Sequence, residues 1–199
     1  MPVVTTVFLA VILAGFALDF LILPPKGVKR FGLKHIFVGY GRGGHALGAA
    51  ANALCLRTSA VKRGQAWRII TSNFIHGGLW HLVPNCVCIW IAGSIAEREI
   101  GSWKLLLVLV VCGAFSNFCV MHVLQHETGY GASVSLYGVF AVLVVLCLRQ
   151  KGYLLAATNW PERLILLAYL LSNIVAAPAI WVVHGGSFIC GVALSYFLV

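Results

Sequence analysis

Apolar runs close to the length that spans a bilayer, about 20 residues of helix, dominate this chain and leave few folds open to it. Six such runs lie between charged or Pro/Gly breaks: about Val3 to Leu23, Leu79 to Ala96, Trp103 to Leu124, Ser133 to Leu148, Leu164 to Ala176 and Ile180 to Val199. Over 199 residues the chain is 61% hydrophobic and 10% charged, with a mean hydropathy of +0.96. A soluble domain of this length keeps too much surface to hide so many apolar side chains. The expected fold is therefore an all-α, multi-pass membrane protein, a six-transmembrane-helix bundle. The fourth and fifth runs are short, as in helices sheltered inside a bundle or seated in a thinned bilayer. The first run has no basic region ahead of it and no clear small-residue cleavage site, so it reads as an anchor and not a removable signal.

Between the first two runs lies a long basic connection carrying Lys26, Lys29, Arg30, Lys34, Arg42, Arg57, Lys62 and Arg63, with glycines at 39, 41, 43, 44 and 48. A connection this long is expected to be functional or partly embedded. It also holds most of the net charge of +9. Basic flanks are usual in membrane loops, and no nucleic-acid fold accompanies them, so no nucleic-acid partner is expected. A tight turn is expected at Glu97-Arg98-Glu99. The seven cysteines form no CxxC pair and no Cys/His spacing for zinc, so no metal is expected. Without an internal repeat, residues 1–199 read as one domain, with 1–64 as first span and basic loop and 65–199 as the motif-bearing core.

In so apolar a chain, polar residues inside or at the mouths of the spans are the informative ones. They are His76, His81 and Asn85 around the start of span two, Ser133 and Ser135 at the start of span four, and His184 and Ser187 in span six. Even-numbered spans begin on the same side, so these groups share one level. A serine hydroxyl becomes a nucleophile when an imidazole accepts its proton, and Ser133 and His184 can form such a pair. The five carboxylates, Asp19, Glu97, Glu99, Glu127 and Glu162, lie elsewhere, which makes the arrangement a dyad. His81 and Asn85, spaced i, i+4, project from one helix face and are donors of the kind that stabilise an oxyanion. His184, Ser187 and Gly191 form one stripe whose small residues permit close helix approach. Tyr137 lies on the face of Ser133 and can pack on the imidazole. Taken singly, each has an ordinary reading as well: Ser133 as an N-cap, His184 as an interfacial histidine, His81 and Asn85 as interhelical glue, Tyr137 as core.

These residues resemble the signature of the rhomboid intramembrane serine proteases. Residues 67–85, WRIITSNFIHGGLWHLVPN, resemble the family's Trp-Arg pair followed by His-x4-His-x3-Asn. AGSIAEREIGSWKLL resembles the turn between spans two and three, Gly131-Ala132-Ser133 with Tyr137 the nucleophile motif, and His184-x2-Ser187-x3-Gly191 the last span's His-x2-Gly-x3-Gly. The resemblance runs from about residue 65 to the C-terminus. It implies a rhomboid-like bundle with a first loop partly in the outer leaflet, Ser133 as nucleophile and His184 as general base. It also implies His81, Asn85 and the Ser133 N–H as the oxyanion hole, Tyr137 as support for the His184 ring, and Trp67 and Arg68 as loop residues. His76, Gly131, Ser187 and Gly191 join the supporting set. The implied reaction is cleavage of single-pass transmembrane substrates in the bilayer, with no cofactor. Two positions depart from the pattern: Val134 replaces the glycine after the serine, with bulk enough to crowd the oxyanion site or span six, and Ser187 replaces the first glycine of the last motif.

Two other classes compete. A catalytically inactive rhomboid-like protein would bind transmembrane clients for trafficking or degradation, although inactive members typically lose the serine or the histidine and both stand here. A six-span channel or transporter fits less well, because spans two to six lack paired charges and the first loop is elaborate. The positive-inside rule puts the first loop in the cytoplasm, whereas the resemblance puts it on the outer or lumenal side. The sequence leaves the membrane and its sidedness open.

Overall fold

The computed structural model describes residues 1–19, 36–37, 48–150, 152–174 and 178–199. The expected continuation of the first run to Leu23, and Lys26, Lys29, Arg30, Lys34 and Arg42 of the basic connection, lie outside the described residues. Helices dominate: α1 (Val3–Ala17), α2 (Ala49–Leu54), α3 (Thr58–Lys62), α4 (Arg68–Thr71), α5 (Leu79–Ile100), α6 (Ser102–His122), α7 (Ser133–Arg149), α8 (Tyr153–Ala157), α9 (Trp160–Ile174) and α10 (Pro178–Leu198). Among the described residues, Leu79–Ile100, Ser102–His122 and Ile180–Leu198 are long and apolar enough to cross a membrane, while Val3–Ala17 and Ser133–Arg149 are apolar but shorter.

The expected turn at Glu97-Arg98-Glu99 is corrected. All three residues belong to the last turns of α5, and the chain reverses at Gly101, whose φ of +84° suits glycine. The reason lies in the Glu97 carboxylate. It accepts from Val4 N and Thr5 N at 2.8 Å each, from Thr5 Oγ1 at 2.7 Å and from Ser102 Oγ at 2.6 Å. The first N–H groups of α1 have no partner within their own helix, and a negative charge suits that end. A Cβ on Gly93 would come within 3.1 Å of the Thr5 side chain, so glycine admits α1 at this point.

The described part of the first connection is not a plain loop. It is a chain of short helices, pinned by an antiparallel pair between Leu56–Arg57 (β1) and Thr128–Gly129 (β2). Thr58 N donates to Glu127 O at 2.9 Å and Thr58 Oγ1 to His126 O at 2.6 Å, extending the seam. The connection is thereby tied to the segment between α6 and α7. Asp19 serves the same end, accepting from Gly48 N and Ala51 N at the start of α2.

The core runs through α5, α6 and α7, where Ile89, Leu105, Val108, Leu109, Leu136, Val139 and Val142 are fully buried. Helix α10 packs on α6 and α7. A Cβ on Gly191 would meet Ala141 Cβ and Gly138 O at 2.7 Å, so this contact depends on small residues. Trp80, Trp90, Trp103, Trp160, Trp181 and Phe197 are exposed around the bundle, where lipid is the expected solvent.

Candidate active site

The start of α7 is held from below by the segment ahead of α5. Gly131, at φ +122°, donates its N–H to Ser72 O at 3.0 Å, and Ala132 N donates to His76 Nε2 at 3.3 Å. Accepting at Nε2 puts the proton of His76 on Nδ1. Burial, together with the adjacent His81, holds the His76 imidazole well below the usual histidine range, in keeping with this neutral role. With Gly131 and Ala132 fixed, Ser133 opens the helix.

Ser133 Oγ lies 3.0 Å from His184 Nε2. The tyrosine ring of Tyr137, one turn along α7, stacks on the imidazole at a centroid distance of 4.2 Å and an interplanar angle of 8°. His184 Nδ1 is buried and, among the described residues, has no hydrogen-bond partner. Ser187 Oγ donates to the Val134 carbonyl. Gly191 brings α10 onto Gly138, so the expected small-residue stripe is the contact face. Ser116 Oγ donates to Val183 O at 2.7 Å and anchors the residue before His184 to α6.

His81 faces the glycine turn: a Cβ on Gly131 would lie 2.9 Å from His81 Nε2 and 3.8 Å from Ser133 Oγ. Only glycine leaves room there for the imidazole. The rings of His76 and Tyr130 flank His81 at 5.0 and 5.9 Å. Asn85 is held at both ends of its amide. Nδ2 donates to His81 O at 2.7 Å, and Oδ1 accepts from Tyr169 OH at 3.0 Å. A cavity of about 470 Å³ opens here, lined by His81, Asn85, Ser133, Val134, Tyr169 and His184 among others.

Arg68 and Trp67 stand apart from this cluster. The Arg68 guanidinium is buried and donates to Gln65 Oε1, Asn52 O and Cys55 O at 2.7 to 2.9 Å, tying the first connection together. Trp67 is exposed. Ser135 belongs to a different buried cluster. It donates to Leu109 O at 2.8 Å and receives Asn73 Nδ2 at 3.2 Å, while Asn117 Nδ2 reaches Ile69 O, Ser72 Oγ and Asn73 Oδ1 at 2.7 to 3.0 Å. Sequence reasoning missed Tyr169, Asn73, Asn117 and Ser116. Asn117 and Ser116 carried a usable signal as polar residues inside an apolar run; Tyr169 offered only an aromatic among aliphatics. The cysteines are free thiols, and the described residues hold no group of three or more His, Cys, Asp or Glu side chains placed to bind a metal.

Comparison with known proteins places the chain beside one family. The family model described as the Rhomboid domain matches residues 63–199. Rhomboid protease GluP of Bacillus subtilis is 28% identical over 106 residues, 53% of this chain and 20% of its own. Rhomboid protease GlpG of Klebsiella pneumoniae is 27% identical over 132 residues, 66% of this chain and 42% of its own. The mitochondrial RHOMBOID-like protein 6 of Arabidopsis thaliana is 27% identical over 148 residues, 69% of this chain and 45% of its own. The chain thus spans less than half the length of these relatives.

Proposed function

The chain belongs to the rhomboid family, and on that premise we propose that it is an intramembrane serine endopeptidase cleaving single-pass transmembrane substrates with a Ser133–His184 dyad. The 3.0 Å contact between Ser133 Oγ and His184 Nε2 is the observation that carries this reading. Six membrane crossings and a partly embedded first loop belong to the same proposal.

Nε2 accepts the hydroxyl proton as Oγ attacks the peptide carbonyl carbon. The imidazolium then gives that proton to the leaving amine as the C–N bond breaks. Water, deprotonated by the same imidazole, hydrolyses the acyl ester and returns the proton to Ser133. For Nε2 to accept, the proton must sit on Nδ1, and among the described residues no carboxylate meets it there; the flat contact with Tyr137 keeps the ring in plane instead. The developing oxyanion has three donors: His81, the Ser133 N–H at the start of α7, and the Asn85 N–H not used by His81 O. Tyr169 fixes which way that amide points.

The test is labelling of the detergent-purified protein with a fluorophosphonate and cleavage of a transmembrane reporter, for wild type, Ser133→Ala and His184→Ala. Both variants are expected to lose both signals. Equal labelling of wild type and Ser133→Ala overturns the proposal, and client binding without cleavage by wild type would favour the inactive alternative.

A further inference from the structure

The two departures from the family's motifs touch each other. Ser187, where the family has glycine, donates its hydroxyl to the carbonyl of Val134, the other substituted position. Ser187 is fully buried and lies three residues after His184, on the same stripe of α10. Val134 is the residue after Ser133. Two polar contacts therefore join α7 and α10 at one level, side by side: His184 Nε2 with Ser133 Oγ, and Ser187 Oγ with Val134 O. Further along, the same helices pack closely where Gly191 lies on Gly138 and Ala141, a contact that sets how close they come but has no direction.

We propose that Ser187 is a positioning residue for the dyad, its hydroxyl gripping the Val134 carbonyl and so setting the register of His184 against Ser133. The inference rests on the protease reading above. A hydrogen bond is directional and narrow in length, whereas packing of glycine on helix backbone lets two helices slide. With the bulk of Val134 at this level, the chain uses a directional bond where glycine would allow bare contact. Val134 O also sits within the helical ladder of α7, so removing the Ser187 hydroxyl strips a restraint without orphaning a buried carbonyl. The variants Ser187→Ala and Ser187→Gly are accordingly expected to fold.

The experiment measures, for the full chain in detergent, the rate constant and the end-point of fluorophosphonate labelling, together with the thermal midpoint. Misplacement of an attacking group by a fraction of an ångström is expected to slow labelling about tenfold in Ser187→Ala and Ser187→Gly, with end-point and midpoint as in wild type. Ser195→Ala is the control, since Ser195 Oγ donates to Gly191 O within α10 and, among the described residues, bonds no other element; it should label at the wild-type rate. A lowered end-point at an unchanged rate constant would mean a purely structural role and overturn the proposal. So would wild-type rates in the Ser187 variants, or equal slowing in Ser195→Ala. Ser133→Ala separates the two readings: if it labels, the protease reading fails, and if it does not while Ser187→Ala labels normally, only the positioning role fails.

Discussion

Tyr137 lies flat on His184, its ring 4.2 Å from the imidazole and tilted by only 8°. Among the described residues no carboxylate meets the His184 imidazole, so in the proposed dyad the stacked ring is the available means of fixing its plane. Such a pair is worth about 0.5–1.5 kcal/mol beyond its burial. Tyr137→Phe keeps the face and is expected to stay within about threefold of wild-type kcat, while Tyr137→Leu should lose about tenfold, consistent with that energy. Equal losses in the two variants would place the role of Tyr137 in its hydroxyl.

The bond from Tyr169 OH to Asn85 Oδ1 makes a second prediction. On the proposed mechanism Asn85 is an oxyanion donor; removing such a donor outright costs about 100-fold or more in kcat, and this is expected for Asn85→Ala. Tyr169→Phe leaves the donor in place but frees its orientation. Its expected loss is smaller, about one hydrogen bond's worth, near 1 kcal/mol, appearing in kcat with KM unchanged. A reporter assay that finds KM raised and kcat intact would assign Tyr169 to substrate contact instead.

Most of this site was legible in the sequence, because bilayer and chemistry both restrict what can stand in an apolar run. Ser133, His81, Asn85 and His184 were visible as polar exceptions at one level, and topology alone said they could meet. Glu97 reads as a turn because charge normally marks a loop, whereas here the carboxylate is spent on the open end of α1, a contact 92 residues away in sequence. Tyr169 escaped for a similar reason: an aromatic in a span looks like core or interface until its hydroxyl is seen to have a partner. Asn117 needed no structure to notice, but its partners, Ser72 and Asn73, lie across a fold that spacing does not reveal.

That cluster gives a stability prediction separate from catalysis. A Cβ on Gly113 would fall 2.2 Å from Asn73 Nδ2 and 2.5 Å from Ser135 Oγ. Gly113→Ala must break those bonds or shift α6 against α7, and overpacking of this kind costs about 1–3 kcal/mol. The thermal midpoint in detergent should fall accordingly. Asn117→Leu should fall as well, since it leaves Asn73 Oδ1 and Ser72 Oγ short of a donor in a buried place.

His76 makes stability depend on pH. Its folded-state pKa is held well below the ordinary value of 6.5, so between those two values the unfolded chain binds a proton that the folded chain does not. Stability is then fully present above the ordinary value and declines as pH falls through it. The structural cause is specific: protonation turns Nε2 from the acceptor of the Ala132 N–H into a donor, which breaks the contact just ahead of Ser133. The thermal midpoint should therefore drop as pH is lowered from about 7.5 toward 5, and labelling of Ser133 should slow in the same window. His76→Gln offers an acceptor that does not titrate in this range, so its midpoint should vary less with pH even if it starts lower. An unchanged slope in that variant would shift the acid sensitivity to another group, and His81, whose ring lies 5.0 Å away, is the first to test.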